Sequence, residues 1–193
     1  MLDEESKAFE AANNAALRKH YSVNAFLCDE NTCLTLYRPR KVVTYGHGRG
    51  LKMGDKLAIR RAISTESAQD SFVVQVVKID EICDFVILEA DVDMHVSCPF
   101  LLVATSGPGI QVSYGDGGLH FQPVELQEFI GSGSVFWKGT SVGKPNGVPE
   151  GAGCYKYGTS DTWGICVACK PLSTDAEGAE IYEYNFTMGG AFY

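Results

Sequence analysis

The sequence predicts an all-β protein: two antiparallel six-stranded β-barrels joined by a short linker and preceded by one N-terminal helix. Three observations lead there. Short apolar runs recur from residue 21 onward, several alternating at period two, as in Phe72, Val74 and Val76 against Val73, Gln75 and Val77; a half-buried strand requires that period. The 21 glycines fall between such runs and form no repeat, which suits turns between strands. At 193 residues, 45% hydrophobic and 21% charged, the chain can fill two small cores. A polar stretch near 93–98 divides it, and a β-sandwich is the alternative architecture.

Taken in order, residues 3–20 are expected to be helical. Asp3 can cap the helix, Glu4 and Glu5 suit its positive end, and Phe9, Ala12, Ala16 and Leu17 share one face. Asn13 and Asn14 weaken that face without breaking it. The first barrel is expected over 21–92, with strands at 22–28, 33–37, 41–45, 56–64, 71–79 and 84–90. A linker over 93–100 leads to the second barrel, 101–193. Its strands are expected at 101–105, 109–114, 119–124, 127–130, 134–139, 155–157, 164–169 and 181–187. The domain division is thus 1–20, 21–92, 93–100 and 101–193.

Charge narrows the partners. A net charge of −8 and a pI near 5.0 repel a phosphate backbone unless charge is segregated. Arg38, Arg40, Lys41, Arg49, Lys52 and Lys56 form the one basic cluster, which reads as a solvated face and leaves RNA a secondary partner. No run of about 18 apolar residues is present, so no membrane segment is expected. The start, Met1 to Glu5, is acidic and lacks the apolar core of a secretion signal. Seven cysteines, an odd number, therefore read as free thiols in a reducing compartment. Cys166 and Cys169 form a C-x-x-C without a second ligand pair, so neither a metal nor a cofactor is expected.

Four histidines occur, and His47 differs from His20, His95 and His120 by its setting. It follows the run Val42 to Tyr45 inside the turn Gly46-His47-Gly48, which puts a side chain at a barrel rim. Further on, Asp84 immediately precedes the apolar run Phe85 to Leu88. A carboxylate there can hold the tautomer of a histidine and stabilise its protonated ring. A third segment, Pro149-Glu150-Gly151-Ala152-Gly153-Cys154, feeds a strand from a glycine-rich turn. Consecutive backbone N–H groups in such a turn can converge on one point, as an oxyanion hole does.

The order His47, Asp84, Gly151-Ala152-Gly153-Cys154, then Gly164-Ile165-Cys166-Val167-Ala168 resembles that of the viral 3C-like proteases of picornavirus and calicivirus type, which have a chymotrypsin fold. The likeness in architecture runs from about residue 20 to 190; the specific motifs cover about thirty residues. The resemblance implies His47 as general base, Asp84 as its orienting acid, and position 152 as nucleophile, cysteine more readily than serine. It implies an oxyanion hole at Glu150, Gly151 and Ala152. By the same resemblance the reaction is peptide hydrolysis through an acyl-enzyme, the substrate a viral polyprotein, and the location the host cell cytoplasm.

Ala152 departs from that pattern, since an alanine cannot attack a carbonyl. It reads as a nucleophile replaced to stop a protease from cutting itself or its partners. A natural pseudoprotease, a non-catalytic β-barrel binding module and a register shifted so that Cys154 is the nucleophile are the alternatives. The resemblance also implies a P1 side-chain pocket at Gly147, Cys166 and His120. Glu150 stands where the family has glycine, Cys166 replaces the histidine that receives glutamine, and Gly147 replaces a threonine. A pocket without those polar groups predicts a P1 residue other than glutamine, apolar or aromatic, unless His120 or Thr140 supplies the missing hydrogen bond.

Overall fold

The structure, a computed structural model, describes residues 17–63, 69–95, 106–127, 136–159 and 161–192. Strands β1 (Ala25–Leu27), β2 (Cys33–Arg38), β3 (Lys41–Tyr45), β4 (Lys56–Arg61), β5 (Ser71–Asp80) and β6 (Phe85–Ala90) build the first barrel. They close in the order β1-β2-β3-β6-β5-β4, and every neighbouring pair is antiparallel. Strand β5 carries the alternation seen in the sequence: Phe72, Val74 and Val76 are buried while Val73, Gln75 and Val77 face outward. The inward set packs with Phe26, Leu34, Leu36, Val42, Ile59, Val86 and Leu88 into one core. Each such side chain contributes about 1.5–3 kcal/mol by leaving water.

The second barrel comprises β7 (Gly107–Gly115), β8 (Gly118–Gln127), β9 (Phe136–Val142), β10 (Gly153–Lys156), β11 (Thr162–Thr174) and β12 (Glu180–Met188). It closes as β10-β11-β12-β9-β8-β7. Its core gathers Val124, Leu126, Cys154, Trp163, Cys166, Tyr184 and Phe186. A barrel has no open edge, which removes the risk of chain-to-chain pairing.

Several expected boundaries move. The strand expected from Ser22 begins only at Ala25, because residues 17–23 are helical. Tyr21 explains the extension: its ring lies 4.2 Å from that of Tyr155 and its hydroxyl donates to Thr159 O at 2.6 Å, so the helix end belongs to the second barrel's surface. The strand expected at 119–124 runs on to Gln127 as β8, through Pro123, and residues 128–130 of the next expected strand lie outside the described residues. At Pro123 β8 pairs with β7 only, since β9 joins it at Glu125, and a proline is tolerated where one side is unpaired. Residues 3–16 of the helix expected over 3–20, and the strand expected at 101–105, lie outside the described residues.

The barrels meet through side chains of β2, β3 and β6 packed on β11 and the C-terminal turn. Tyr37, Val43, Phe85 and Ile87 from the first pack with Ile165, Val167 and Phe192 from the second. The Phe192 ring meets Phe85 edge-on at 4.9 Å. A smaller cluster of Leu27, Cys33, Tyr114 and Ala152 also spans the junction.

Candidate functional site

Pairing of β3 with β6 in the register Tyr45↔Phe85 brings the segment after one strand beside the segment before the other. His47 and Asp84 thereby meet. Asp84 adopts a left-handed φ of 57°, a conformation aspartate tolerates better than most residues. Its Oδ1 accepts the amides of Gly46 at 3.1 Å and His47 at 2.7 Å, and its Oδ2 accepts His47 Nδ1 at 2.5 Å. A carboxylate can only accept, so Nδ1 carries the hydrogen and Nε2 is left as the ring's acceptor. The imidazole is 58% exposed against 21% for the carboxylate, so the pair presents its basic nitrogen outward. Behind it the Tyr45 ring lies 4.9 Å from the imidazole, and the Arg49 guanidinium covers that ring at 4.8 Å while donating to Thr44 Oγ1.

The turn holding Ala152 docks against the first barrel just before His47. Thr35 Oγ1 donates to Gly151 O at 3.0 Å. A Cβ on Gly151 would sit 2.1 Å from Cys33 O and 2.8 Å from Thr44 Oγ1, so only glycine fits there. Gly151 has φ 86°, and the Ala152 amide donates to Pro149 O at 3.0 Å. That pairing defines a type II turn over 149–152 with glycine in its third position. The Gly151 amide donates to Cys166 O at 2.8 Å, and Cys166 N–H donates back to Ala152 O at 3.0 Å. The amides of Gly151 and Ala152, expected to face an oxyanion, are therefore spent inside the protein in this conformation. Ala152 itself is 1% exposed.

Cys154 lies in the second barrel's core with no exposure, and burial pushes its thiol far up. Exposure alone does not choose between the two registers, since Ala152 is buried as well. What weighs against Cys154 as nucleophile is its place among Val124, Leu126, Trp163 and Phe186 in the second core, whereas Ala152 packs at the junction with Leu27 and Cys33. Burial likewise raises Cys166 well above the ordinary thiol range, and its Sγ turns to Ala168 O at 3.3 Å. Gly147 packs backbone to backbone on Tyr114, with φ 79°. His120 Nε2 donates to Gly115 O at 2.8 Å. Gly147 and His120 thus share the Tyr114–Gly115 end of β7, whereas Cys166 faces the core.

A pocket of about 420 Å³ opens at His47 and Asp84, lined further by Phe136, Lys138, Val167, Ala168 and Asn185. Val167 and Ala168 belong to the Gly164–Ala168 motif, whereas Phe136, Lys138 and Asn185 did not stand out in the sequence. Lys138 and Asn185 are cross-strand partners on β9 and β12, a signal that appears only once the strands are paired. Of the basic cluster, Arg40 pairs with Asp93 at 2.8 Å, Lys41 with Glu89 at 3.6 Å, and Arg49 bonds inward. No helix among the described residues is long and apolar enough to cross a membrane.

Two closed six-stranded antiparallel barrels packed side by side, with a His–Asp pair at their junction, define the chymotrypsin fold. Among solved structures the chain is similar to the Rv3671c protease of M. tuberculosis in its inactive form, at 14% identity and a TM-score of 0.64, covering 93% of this chain and 90% of that one. A serine-to-alanine mutant of the same protease gives 13% identity and a TM-score of 0.63, covering 93% and 88%. The MamO protease domain of Magnetospirillum magneticum gives 12% identity and a TM-score of 0.57, covering 86% and 93%. No family model and no curated protein matches the chain.

Proposed function

We propose that this chain is the scaffold of a cysteine endopeptidase whose nucleophile position, 152, is occupied by alanine. The observation that carries the reading is the 2.5 Å bond from His47 Nδ1 to Asp84 Oδ2 at the barrel junction, beside a pocket of peptide side-chain size. With a thiol at 152, His47 Nε2 accepts its proton and the sulfur attacks the scissile carbonyl. Collapse forms a thioester and releases the amine, to which the imidazolium returns the proton. Water, deprotonated by the same nitrogen, then hydrolyses the thioester and regenerates the thiol.

Strand β11 offers the seat for a peptide. Its pairing with β10 ends at Ile165, while β12 continues along the other side to Thr174. From Val167 onward no other strand among the described residues pairs with that backbone edge, which leaves it to an extended substrate next to His47. The finer reading rests on the motif order alone: an enzyme of the viral 3C-like type, acting on a viral polyprotein in the host cell cytoplasm.

The test is Ala152→Cys. We expect a thiol that iodoacetamide alkylates rapidly at neutral pH and that cleaves members of a peptide library, both effects vanishing on His47→Ala. An inert thiol, or one indifferent to His47, overturns the reading. A second reading, a non-catalytic peptide-binding module, is favoured by the closed Ala152 amide. It predicts that the chain binds extended peptides and that Ala152→Cys still cuts none.

A further inference from the structure

Strand β7 buries two polar side chains that strict period-two alternation puts toward solvent. Gln111 and Ser113 alternate with Ile110 and Val112, yet they are 1% and 2% exposed. The segment 146–152 covers them. Ser113 Oγ donates to Asn146 O at 2.7 Å, and Gln111 Nε2 donates to Ala152 O at 3.2 Å and Pro149 O at 3.4 Å. Gln111 Oε1 is buried and has no partner among the described residues. An orphaned buried oxygen opposes folding, and leucine or methionine would fill the same volume without it. The two contacts of Nε2 are the feature that offsets this cost.

We propose that Gln111 is a positioning residue that latches the 149–152 turn shut, and that the structure captures the closed state of that turn. The two contacts differ in role. To aim the Ala152 N–H at an incoming oxyanion, the Pro149 carbonyl must turn away. That movement breaks the Ala152 N–H to Pro149 O bond and the Gln111 contact to Pro149 O together. The contact to Ala152 O and the bond from Cys166 N–H to Ala152 O persist, so they form the pivot about which the turn opens. A substrate carbonyl supplies the acceptor that draws the freed amide outward.

The latch is tested on the chain as it exists by amide hydrogen exchange. Gln111→Met keeps the volume and removes the donor; Gln111→Leu serves if the first variant folds poorly. The expected result is Ala152 exchange about fivefold faster, the value of one net hydrogen bond, with Cys166 exchange unchanged within about twofold. Unchanged Ala152 exchange, or Ala152 and Cys166 accelerating together, overturns the latch. The catalytic meaning of the open turn rests on the protease reading. In Ala152→Cys, Gln111→Met is expected to raise kcat about fivefold at constant KM, and a fall in kcat overturns the proposal. If Ala152→Cys shows no turnover while the exchange pattern holds, the protease reading falls and the latch stands. If His47-dependent turnover is present and exchange is unmoved, the latch alone falls.

Discussion

Asp84→Asn separates the two tasks of one carboxylate. Asparagine also tolerates the left-handed φ of 57°, so backbone strain does not confound the change. Its carbonyl oxygen can keep both amide donors, Gly46 and His47, that Oδ1 now holds. Its NH₂ then replaces Oδ2 opposite His47 Nδ1. A donor facing a donor is repulsive, so the ring must carry its hydrogen on Nε2 instead, and the outward nitrogen ceases to be a base. A charge-assisted hydrogen bond is worth about 1.5–3 kcal/mol against about 0.5–1.5 for a neutral one. With the imidazole 58% exposed, the stability loss should stay near ~1 kcal/mol. The tautomer change should be complete by comparison. Two-bond ¹H–¹⁵N correlation at pH 8 reports which ring nitrogen is protonated, in the chain as it stands. In the Ala152→Cys form the same change should lower turnover about 10⁴-fold, as the wrong tautomer does in triad enzymes generally. A His47 ring that stays protonated on Nδ1 after the substitution would refute the reasoning.

Three further outcomes are expected. Gly151→Ala drives a Cβ to 2.1 Å from Cys33 O at a φ of 86°, so urea unfolding should show a loss above ~2 kcal/mol; a neutral result means the turn does not dock on β2 as described. Phe192→Ala removes a side chain that is 4% exposed and meets Phe85 at the junction, and should cost about 3–5 kcal/mol in the same assay; less than ~1 kcal/mol means the C-terminal turn does not hold the barrels together. Burial pushes the Cys33 thiol from 9.0 to about 12, and Cys154 and Cys166 are raised as well. The fold holds these thiols protonated, so their contribution is fully present below pH 9 and is lost as pH climbs toward 12. Stability should fall by up to about 1.4 kcal/mol per pH unit per thiol above pH 9, and a flat profile from pH 9 to 11 would contradict their burial.

Much of the site was legible because its signals are local. His47 could be singled out by the glycine-flanked turn after an apolar run, and Asp84 by its position just before another. The two strands pair in the register that the turns allow, so the residues beyond their ends converge. The residues expected to form a pocket for the P1 side chain were harder to read. Gly147 and Cys166 are determined by close backbone packing and by core volume, and neither requirement leaves a chemical mark in the sequence. Phe136, Lys138 and Asn185 were invisible for a related reason: they converge only when β9, β11 and β12 curl into a barrel.

The sequence by itself determined the all-β class, the division into two barrels and the identity of the His–Asp pair. Those follow from period-two patterning and from turn residues, which act over a few positions. Only the tertiary structure decided which face of β7 is buried. Gln111 and Ser113 alternate with apolar neighbours, a pattern that by itself puts polar side chains toward solvent, but a segment far along the chain covers them with carbonyls that need donors. The same packing decided that the Ala152 amide turns inward. A glycine-rich turn admits both an open and a closed conformation, and the choice lies with hydrogen bonds to Pro149, Cys166 and Gln111, partners that no local pattern specifies.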